Sequence, residues 1–259
     1  MALTAEHTPV IRGLMKMRNE SEILQDTLDK WAEICTGGIY VYDDVSTDAS
    51  VRIAKEHKMV NDVIEGSFWD PDREKAEWFN RQSVLSRAQQ DSGPNDWFVY
   101  FDADEHPYNF NEWNLFSNPE VNAIAMRLYD FYITPEDVDK PYHKRDFIGP
   151  EFRTITFFFR NSPFLKYYLP DQREVTLEPG TEVYVHGDIK HYGKGFSIEQ
   201  HDETCYYYIK YWPKYADKWR KRLGKAVKED MMSDFGNKLI HWRDRSKGFS
   251  LEEQNYGRN

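Results

Sequence analysis

The sequence WFVYFDADE, residues 97–105, joins five consecutive apolar residues to three carboxylates. The turn-forming residues Gly93-Pro94-Asn95 precede the apolar run, and Asp102 ends it. A short apolar run with such boundaries is typical of a strand that is buried on both faces, as in a parallel sheet covered by helices. The stretch therefore predicts an α/β fold in which Asp102, Asp104 and Glu105 lie at the carboxyl end of a central strand.

The chain before this strand alternates between apolar runs and amphipathic stretches. Strands are predicted at 10–17, 39–42 and 60–65, and helices at 22–34, 48–57 and 71–91. Asn19 with Glu22 resembles a capping pair for the first helix, and Asp70-Pro71 is a cap with proline at the first helical position of the third. This β-α-β-α-β-α-β order is the signature of a mostly parallel sheet with helices on both faces.

The pattern changes after Glu105. Strands separated by polar, proline-bearing loops are predicted at 121–129, 154–160, 164–168, 181–185 and 188–192, and this favours a mixed sheet. A helical pattern returns from about Ile198. Because no repeat and no Gly/Ser linker interrupts the chain, we expect a single domain over residues 1–259 with three regions, 1–105, 106–195 and a helical carboxy-terminal region 196–259.

Composition excludes several classes of protein. The chain has 34 Lys and Arg against 44 Asp and Glu, a net charge of -10, which argues against nonspecific nucleic-acid binding. No stretch approaches the roughly 20 apolar residues of a membrane span, and the first 20 residues lack the apolar core of a secretory signal. The two cysteines form no CxxC or zinc spacing. A folded protein of a reducing compartment, the cytoplasm, is expected.

Two acidic clusters follow predicted strands. Asp43 and Asp44 come after 39–42, and Asp102 and Asp104 come after 97–101. Since the carboxyl ends of parallel strands form the ligand crevice of an open α/β sheet, both clusters should point into one cleft. The Asp-x-Asp spacing suits a hard divalent ion that keeps open positions for phosphate oxygens. The alternative interpretation is that these carboxylates only fill turns and helix caps.

The order and spacing of three segments resemble family 2 glycosyltransferases of the GT-A fold. These segments are 10–19, then 39–48 with its Asp-Asp-Val-Ser-Thr-Asp, then 98–105 with its Asp-Ala-Asp-Glu. The resemblance covers about the first hundred residues. It implies a GT-A, Rossmann-like mixed sheet flanked by helices, a nucleotide-sugar-binding half at 1–105 and an acceptor-binding, catalytic half at 106–195. It also implies a nucleoside-diphosphate-sugar donor, bound Mn²⁺ or Mg²⁺, and transfer with inversion.

The resemblance also assigns the donor site. Asp43 corresponds to the carboxylate that binds the base ring, and Asp102 to the aspartate near the ribose and metal-bound water. Asp104 corresponds to the direct metal ligand. The residues that the resemblance places in the same nucleotide and diphosphate site are Arg18, Asn19, Glu20, Asp44 and, on the helix before the Asp-x-Asp strand, Arg81 or Arg73. Val45 stands where the family usually has glycine.

A catalytic base and a third metal ligand are expected later in the chain. The family often carries a carboxylate in a His-Glu-like motif and then a histidine that completes the metal shell. Arg173-Glu174 and His191 occur in that order, so Glu174 is the candidate base and His191 the candidate ligand, with Asp171 as a competing base. A carboxylate within about 3 Å of a sugar hydroxyl can take its proton as the new bond forms. The competing histidines are His106, His186 and His201.

Aromatic residues alternate with Lys and Arg between Tyr206 and Lys228. One interpretation is a platform for a membrane surface or a lipid-linked acceptor, and the other is a helix packed on the sheet with its lysines in solvent. Rings that could stack on an acceptor sugar, or simply form core, are Trp69, Trp113, Tyr129, Phe131 and Tyr132.

The sequence thus predicts a metal-dependent glycosyltransferase that moves a sugar from a UDP- or GDP-linked donor to a hydroxyl of a glycan or glycolipid. A second hypothesis is a GT-A-like module that binds a nucleotide or glycan without turnover. A third, a nucleotidyltransferase, would need a Gly-rich basic loop after the first strand, and Met17-Arg18-Asn19-Glu20 is not one.

Overall fold

The computed structural model describes residues 9–111, 113–168 and 173–251. The first half alternates strands and helices: β1 Ile11–Met17, α1 Leu24–Ala32, β2 Ile39–Asp43, α2 Ser50–Glu56, β3 Val60–Glu65, α3 Arg73–Gln90 and β4 Trp97–Tyr100. The second half contains β5 Glu105–Tyr108, α4 Asn114–Ser117, β6 Ala123–Phe131, β7 Phe147–Arg160, β8 Val183–His191, α5 Ile198–Tyr211, α6 Ala216–Arg222, β9 Ile240–His241 and β10 Phe249–Ser250.

One mixed sheet runs through the described chain in the order β3-β2-β1-β4-β7-β6-β8-β5. The strands β3, β2, β1 and β4 are mutually parallel, β7 is antiparallel to both β4 and β6, and β8 is parallel to β6 and antiparallel to β5. The short strands β9 and β10 add to β7. This mixed sheet with flanking helices confirms the fold class predicted from the sequence.

Both faces of the parallel half are buried, which explains its continuous apolar strands. On one face Trp31 of α1 stacks on Phe101 with ring centroids 4.4 Å apart. On the other face Val84 and Leu85 of α3 pack against a cluster that includes Phe98. All four residues of β4 are buried. Complete burial of one large apolar side chain contributes about 1.5–3 kcal/mol, so these two layers hold the strand ends in place.

Several local predictions differ from the structure. Residues 164–168 form no strand, and only Lys166 makes an isolated bridge, to Thr176. The runs 181–185 and 188–192 belong to one strand, β8, because Gly187, with φ at 84°, lets the strand continue through an irregular register. The predicted helical region after 196 contains α5, a 3₁₀ turn at Pro213–Tyr215 and α6. Between Arg222 and Leu251 the chain forms turns, one more 3₁₀ segment and β9 and β10.

Two predicted helix caps also differ. The helix α1 begins after Ile23, which makes no side-chain cap, and Asn19 instead accepts a hydrogen bond from the amide of Thr47 at 2.8 Å. The helix α3 is capped by Asp72, whose side chain accepts from the amide of Lys75. Asn19 therefore stabilises the loop after β2 and does not cap α1. Asp72, which is nearer to α3 than Asp70, caps that helix.

The loop after β2 holds a strained residue. Val45, in the position where the related pattern has glycine, has φ at 60°. A β-branched residue in this region costs roughly 1–2 kcal/mol, whereas glycine adopts it freely at a smaller entropic cost. We therefore expect Val45→Gly to raise the melting temperature by about 1–4 °C. Thermal unfolding followed by circular dichroism measures the change.

Val63→Gly is the matched control, because Val63 lies within β3 and is equally half-buried. Glycine weakens a strand interior. The control should lower the melting temperature, and an equal loss in Val45→Gly would show that the loop is not strained.

Candidate active site

Three parallel strands end at the same edge of the sheet. Met17 at the end of β1 pairs with Asp43 at the end of β2. On the other side of β1, the amide of Phe101 donates to the carbonyl of Leu14 at 3.1 Å. Asp43 and Asp102 therefore leave the sheet at one edge, on either side of β1, as the rule for open α/β sheets requires.

A histidine between two carboxylates connects this edge to the second half of the chain. The strand β8 pairs with β5 and β6 at once, which sets His191 opposite Glu105 and Asp130. Its Nε2 lies 3.2 Å from Oδ2 of Asp104, and its Nδ1 lies 2.5 Å from Oδ1 of Asp130. Burial disfavours the charged imidazole, but the two carboxylates raise the pKa of His191 to about 10. The ring is fixed between Asp104 and Asp130.

This geometry fits a divalent cation. Because Asp130 occupies Nδ1, the Nε2 of His191 faces Asp104, and a carboxylate behind a histidine is the usual support of a metal-ligating imidazole. Gly193 keeps the space open, since a Cβ there would lie 2.6 Å from Oδ2 of Asp104 and 2.9 Å from Nε2 of His191. A mixed imidazole and carboxylate pair suits Mn²⁺ better than Mg²⁺. The structure thus brings Asp104 and His191 together and adds Asp130 and Gly193.

Asp102 is held as an ionised carboxylate beside this pair. Its Oδ1 accepts a hydrogen bond from the phenol of Tyr100 at 3.1 Å, and its Oδ2 lies 3.7 Å from Arg173. Burial acts to raise the pKa of Asp102, but Arg173, Arg81 and Lys16 lower it to about 2. An acid that stays charged is suited to binding a cation or a ribose hydroxyl.

Arg173 replaces the histidine of the related motif, and its role differs. Its guanidinium donates to both oxygens of the buried Glu105, at 2.6 and 2.8 Å, and lies over the ring of Tyr100 at 5.0 Å. Glu105 in turn accepts the amide of Asp102 at 2.9 Å. Arg173 therefore positions the loop that carries Asp102 and Asp104.

Glu174, the candidate base, is exposed. Its Oε2 accepts a hydrogen bond from the amide of Thr156 at 2.7 Å. Within the described part of the chain, no hydrogen bond or ion pair joins Glu174 to Asp104 or His191. Asp171, the competing base, lies outside the described residues.

The candidate nucleotide loops are pinned to one another. Both carboxylate oxygens of Asp43 accept the amide of Ser46, at 3.1 and 3.2 Å, so Asp43 shapes its own loop. Arg18 donates to the carbonyl of Asp44 at 2.6 Å. The amide of Glu20 donates to the hydroxyl of Ser50 at 2.8 Å. The residues from Arg18 to Glu20 therefore lie against the loop after β2 and form one surface with it.

Three carboxylates lie near one another: Glu20 of this surface, and Asp102 and Asp104 of the Asp-x-Asp loop. Burial, and then the charges of Asp104 and Asp102, raise the pKa of Glu20 well above its ordinary value. Such mutual repulsion is relieved when a cation binds between carboxylates. The electrostatics thus agree with the donor set of Asp104 and His191.

Arg73, the alternative to Arg81 on the helix before the Asp-x-Asp strand, lies in a buried ion pair. Arg73, at the start of α3 and fully buried, pairs with the carboxylate of Asp44 and lies 3.6 Å from Glu77. Arg18 and Arg73 both lie over the ring of Trp69, at 5.0 and 5.1 Å from its centroid. The arginine therefore holds Asp44 in a structural ion pair and ties α3 to the candidate nucleotide loop.

The predicted diphosphate residue Arg81 acts through another side chain. It pairs with Glu77 at 3.1 Å and donates from Nε to the phenol oxygen of Tyr100 at 3.1 Å. Tyr100 then donates to Asp102. Glu77 also pairs with Lys16. Residues 73, 77 and 81 are spaced by four, and residues with this spacing lie on one helix face. This spacing is the sequence signal for the buried ion pairs of Arg73, Glu77 and Arg81.

The aromatic-basic helix packs over this site. The phenol of Tyr207 accepts from Nε of Arg73 at 2.9 Å, and Tyr211 meets Trp69 edge-on at 4.5 Å. Tyr208 stacks on Trp219 at 4.4 Å. The packing interpretation of the helix therefore holds for these rings, whereas Tyr206 is 61% exposed. None of the described helices is long and apolar enough to cross a membrane.

The competing histidines have other surroundings. His106 is buried, and its Nε2 lies 2.9 Å from the hydroxyl of Thr27. His201 lies beside Asp202 on α5, 3.1 Å from its carboxylate. His186 lies near the ring of Phe110, with centroids 5.9 Å apart. Among the described residues, no hydrogen bond or ion pair joins His106 or His201 to Asp102 or Asp104.

Comparison with known proteins gave structural likenesses only. No family model and no curated protein matches the chain. Similar solved structures include glucosyl-3-phosphoglycerate synthase from Mycobacterium tuberculosis in complex with Mn²⁺, UDP and glucosyl-3-phosphoglycerate, at 15% identity and a TM-score of 0.33 over 46% of this chain and 44% of that one. Mannosyl-3-phosphoglycerate synthase from Rubrobacter xylanophilus is similar at 16% identity and a TM-score of 0.31 over 52% and 44%. The chain spans less than half the length of each.

Proposed function

We propose that this protein is a metal-dependent glycosyltransferase that moves a sugar from a nucleoside-diphosphate sugar to a hydroxyl of a glycan or glycolipid. The observation that carries the proposal is the pair formed by Asp104 and His191. Their ligand atoms lie 3.2 Å apart, Asp130 orients the imidazole, and Gly193 leaves the space beside them open. The candidate nucleotide loop with Asp43 lies at the same edge of the sheet.

Each residue of the site has a proposed task. Asp104 and His191 bind the cation, Asp102 binds the ribose or metal-bound water, and Asp43 with Arg18, Asn19 and Glu20 forms the base pocket. A divalent cation held by Asp104 and His191 would supply positive charge to stabilise the diphosphate leaving group. Tyr100 and Arg173 keep Asp102 in place. The family resemblance implies these tasks, and the position of Asp43 and Asp102 at one edge of the sheet supports them.

The acceptor hydroxyl needs a base on the other side of the sugar. We propose that Glu174 is this base, with Asp171 as the competing candidate base. The hydrogen bond from Thr156 engages Oε2 of Glu174, and an exposed carboxylate can take a proton on its other oxygen. One base and no enzyme nucleophile correspond to a single displacement with inversion at the anomeric carbon.

The proposal is tested by incubating the protein with Mn²⁺ and a panel of UDP- and GDP-sugars and measuring released nucleoside diphosphate. We expect slow release from one donor even without acceptor. Asp104→Asn should reduce release at least about 100-fold, because it weakens a direct ligand where even outer-shell changes cost roughly 10–100-fold. Asp139→Asn, at an exposed position away from the site, should leave the rate unchanged.

Two results would contradict the proposal. Tight nucleotide binding without release from any donor would favour the binding module. Equal release by Asp104→Asn and the unmodified chain would show that Asp104 binds no catalytic metal.

A further inference from the structure

A cavity of about 930 Å³ opens behind the candidate metal site. In the ladder between β5 and β8, Glu105 pairs with His191, and His106 pairs with Lys190. Since successive strand residues point to opposite faces of a sheet, His106 and Lys190 face away from the metal pair. Both line the cavity. Its volume is in the upper part of the range of about 300–1,000 Å³ that is usual for small-molecule sites.

The ammonium of Lys190 contacts aromatic rings and forms no ion pair with a carboxylate of the described residues. The ammonium lies 5.1 Å from the ring centroid of Tyr108 and 5.0 Å from that of Trp242. Among the described residues, no carboxylate lies within ion-pair distance of it and no side chain or backbone group accepts its hydrogen bond. An anion in the cavity would give the Lys190 ammonium both a counter-charge and a charge-assisted hydrogen-bond acceptor.

The cations near Lys190, in contrast, are each paired with a carboxylate. Arg245 is paired with Asp188 at 2.8 Å, and Lys30 lies 3.6 Å from Asp26. Lys30 also lines the cavity, together with its partner Asp26, so Lys190 is the lysine there that has no ion pair among the described residues. The arrangement therefore favours an anionic ligand group beside Lys190.

Aromatic and polar side chains share the walls of the cavity. The rings that line it are those of Tyr108, Phe110, Trp113, Tyr142 and Tyr192. Trp113 is 36% exposed and lies at the rim. Flat rings offer contact area for the apolar face of a sugar. Carboxylates accept hydrogen bonds from its hydroxyls, and a side-chain amide both accepts and donates them. Asp26, Glu33 and Asn109 supply such groups.

We propose that this cavity binds an acidic sugar, a ring that carries a carboxylate or a phosphate. Lys190 binds the anion, and the rings of Tyr108 and Trp113 contact the sugar ring. The polar rim favours a hydroxylated ligand over a purely apolar acid. The site is separate from the candidate donor site, because it lies on the other face of the β5–β8 ladder.

Isothermal titration of the full chain with glucuronate, glucose 6-phosphate, glucose and inorganic phosphate tests the proposal. We expect saturable binding of one or both acidic sugars, and which of them binds identifies the anion. Lys190→Met keeps a side chain of similar length against Tyr108 and Trp242 but removes the charge, and it should weaken binding at least about 10-fold. Trp113→Ala, at an exposed position, should also weaken it.

Lys166→Met is the matched control, since Lys166 lies over the ring of Tyr168 at 5.0 Å, outside the cavity. It should bind the acidic sugar as the unmodified chain does. Mn²⁺-dependent UDP binding by Lys190→Met should also be unchanged, which separates this site from the proposed donor site.

Four outcomes would overturn the proposal. These are equal binding of glucose, equal binding of inorganic phosphate, no binding of either acidic sugar at millimolar concentration, and unchanged affinity in both cavity variants. Loss of UDP binding in Lys190→Met would overturn the separation of the two sites. If Lys190→Met does not fold, Trp113→Ala decides the question.

Discussion

Replacement of Gly193 by alanine is expected to remove Mn²⁺-dependent binding of UDP from a protein that still folds. The added Cβ would lie 2.6 Å from Oδ2 of Asp104 and 2.9 Å from Nε2 of His191, closer than atoms in contact can approach. Oδ2 is the end of a flexible side chain and can turn away, and Gly193 is outside the left-handed region, so the cost to folding is small. The displaced atoms are the two proposed metal ligands.

The affinity for Mn²⁺ should therefore fall at least about 100-fold, since changes one layer further from a metal cost roughly 10–100-fold. Isothermal titration of Mn²⁺ in the presence of UDP measures the loss, and thermal unfolding without metal confirms the fold. Gly93→Ala is the matched control, because the nearest atom to its Cβ, on Asp96, would be 3.7 Å away. Binding in Gly193→Ala at the level of this control would exclude a metal between Asp104 and His191.

The second large effect is expected from Arg73→Met, which should strongly destabilise the fold. Arg73 is fully buried, pairs with Asp44 and Glu77, and donates to the phenol of Tyr207. Removing one partner of a buried ion pair costs about 3–5 kcal/mol, because the other charge remains buried and uncompensated. For a chain of this size the melting temperature should fall by about 6–20 °C.

The exposed pair between Arg52 and Glu56, 3.2 Å apart, provides the control. Arg52→Met should change the free energy of unfolding by at most about 0.5 kcal/mol in urea titrations. The double variant Arg73→Met with Asp44→Asn should recover part of the lost free energy of unfolding, because it also removes the buried carboxylate charge that Arg73 had balanced. Equal stability of Arg73→Met and Arg52→Met would show that the buried pair contributes nothing.

The alternation of strands and helices up to Glu105 could be predicted from the sequence, most clearly at β2 and β4, which are short apolar runs that a carboxylate follows. A largely apolar run, 121–129, likewise precedes Asp130. The place of Asp130 in the site could not be predicted, since only the parallel pairing of β6 with β8 sets Asp130 opposite His191. Register between distant strands is not encoded in local periodicity.

Side-chain roles in the second half were harder to predict for a similar reason. Arg173 and Glu174 are adjacent, but Arg173 faces Glu105 while Glu174 faces the amide of Thr156 on β7. A motif fixes the order of residues, whereas their direction depends on the loop that carries them. The spatial effect of Gly193 could not be predicted either, because it comes from the missing Cβ beside two side chains from other segments.

The hydrogen bond from Arg73 to Tyr207 joins residues 134 positions apart. Exchange of the first half of this chain for that of another protein of the same fold would separate Arg73 from the phenol that accepts its hydrogen bond. Functional hybrids should therefore inherit both residues from the same parent, or replace both together. In evolutionary terms, we expect substitutions at these two positions to occur as a pair.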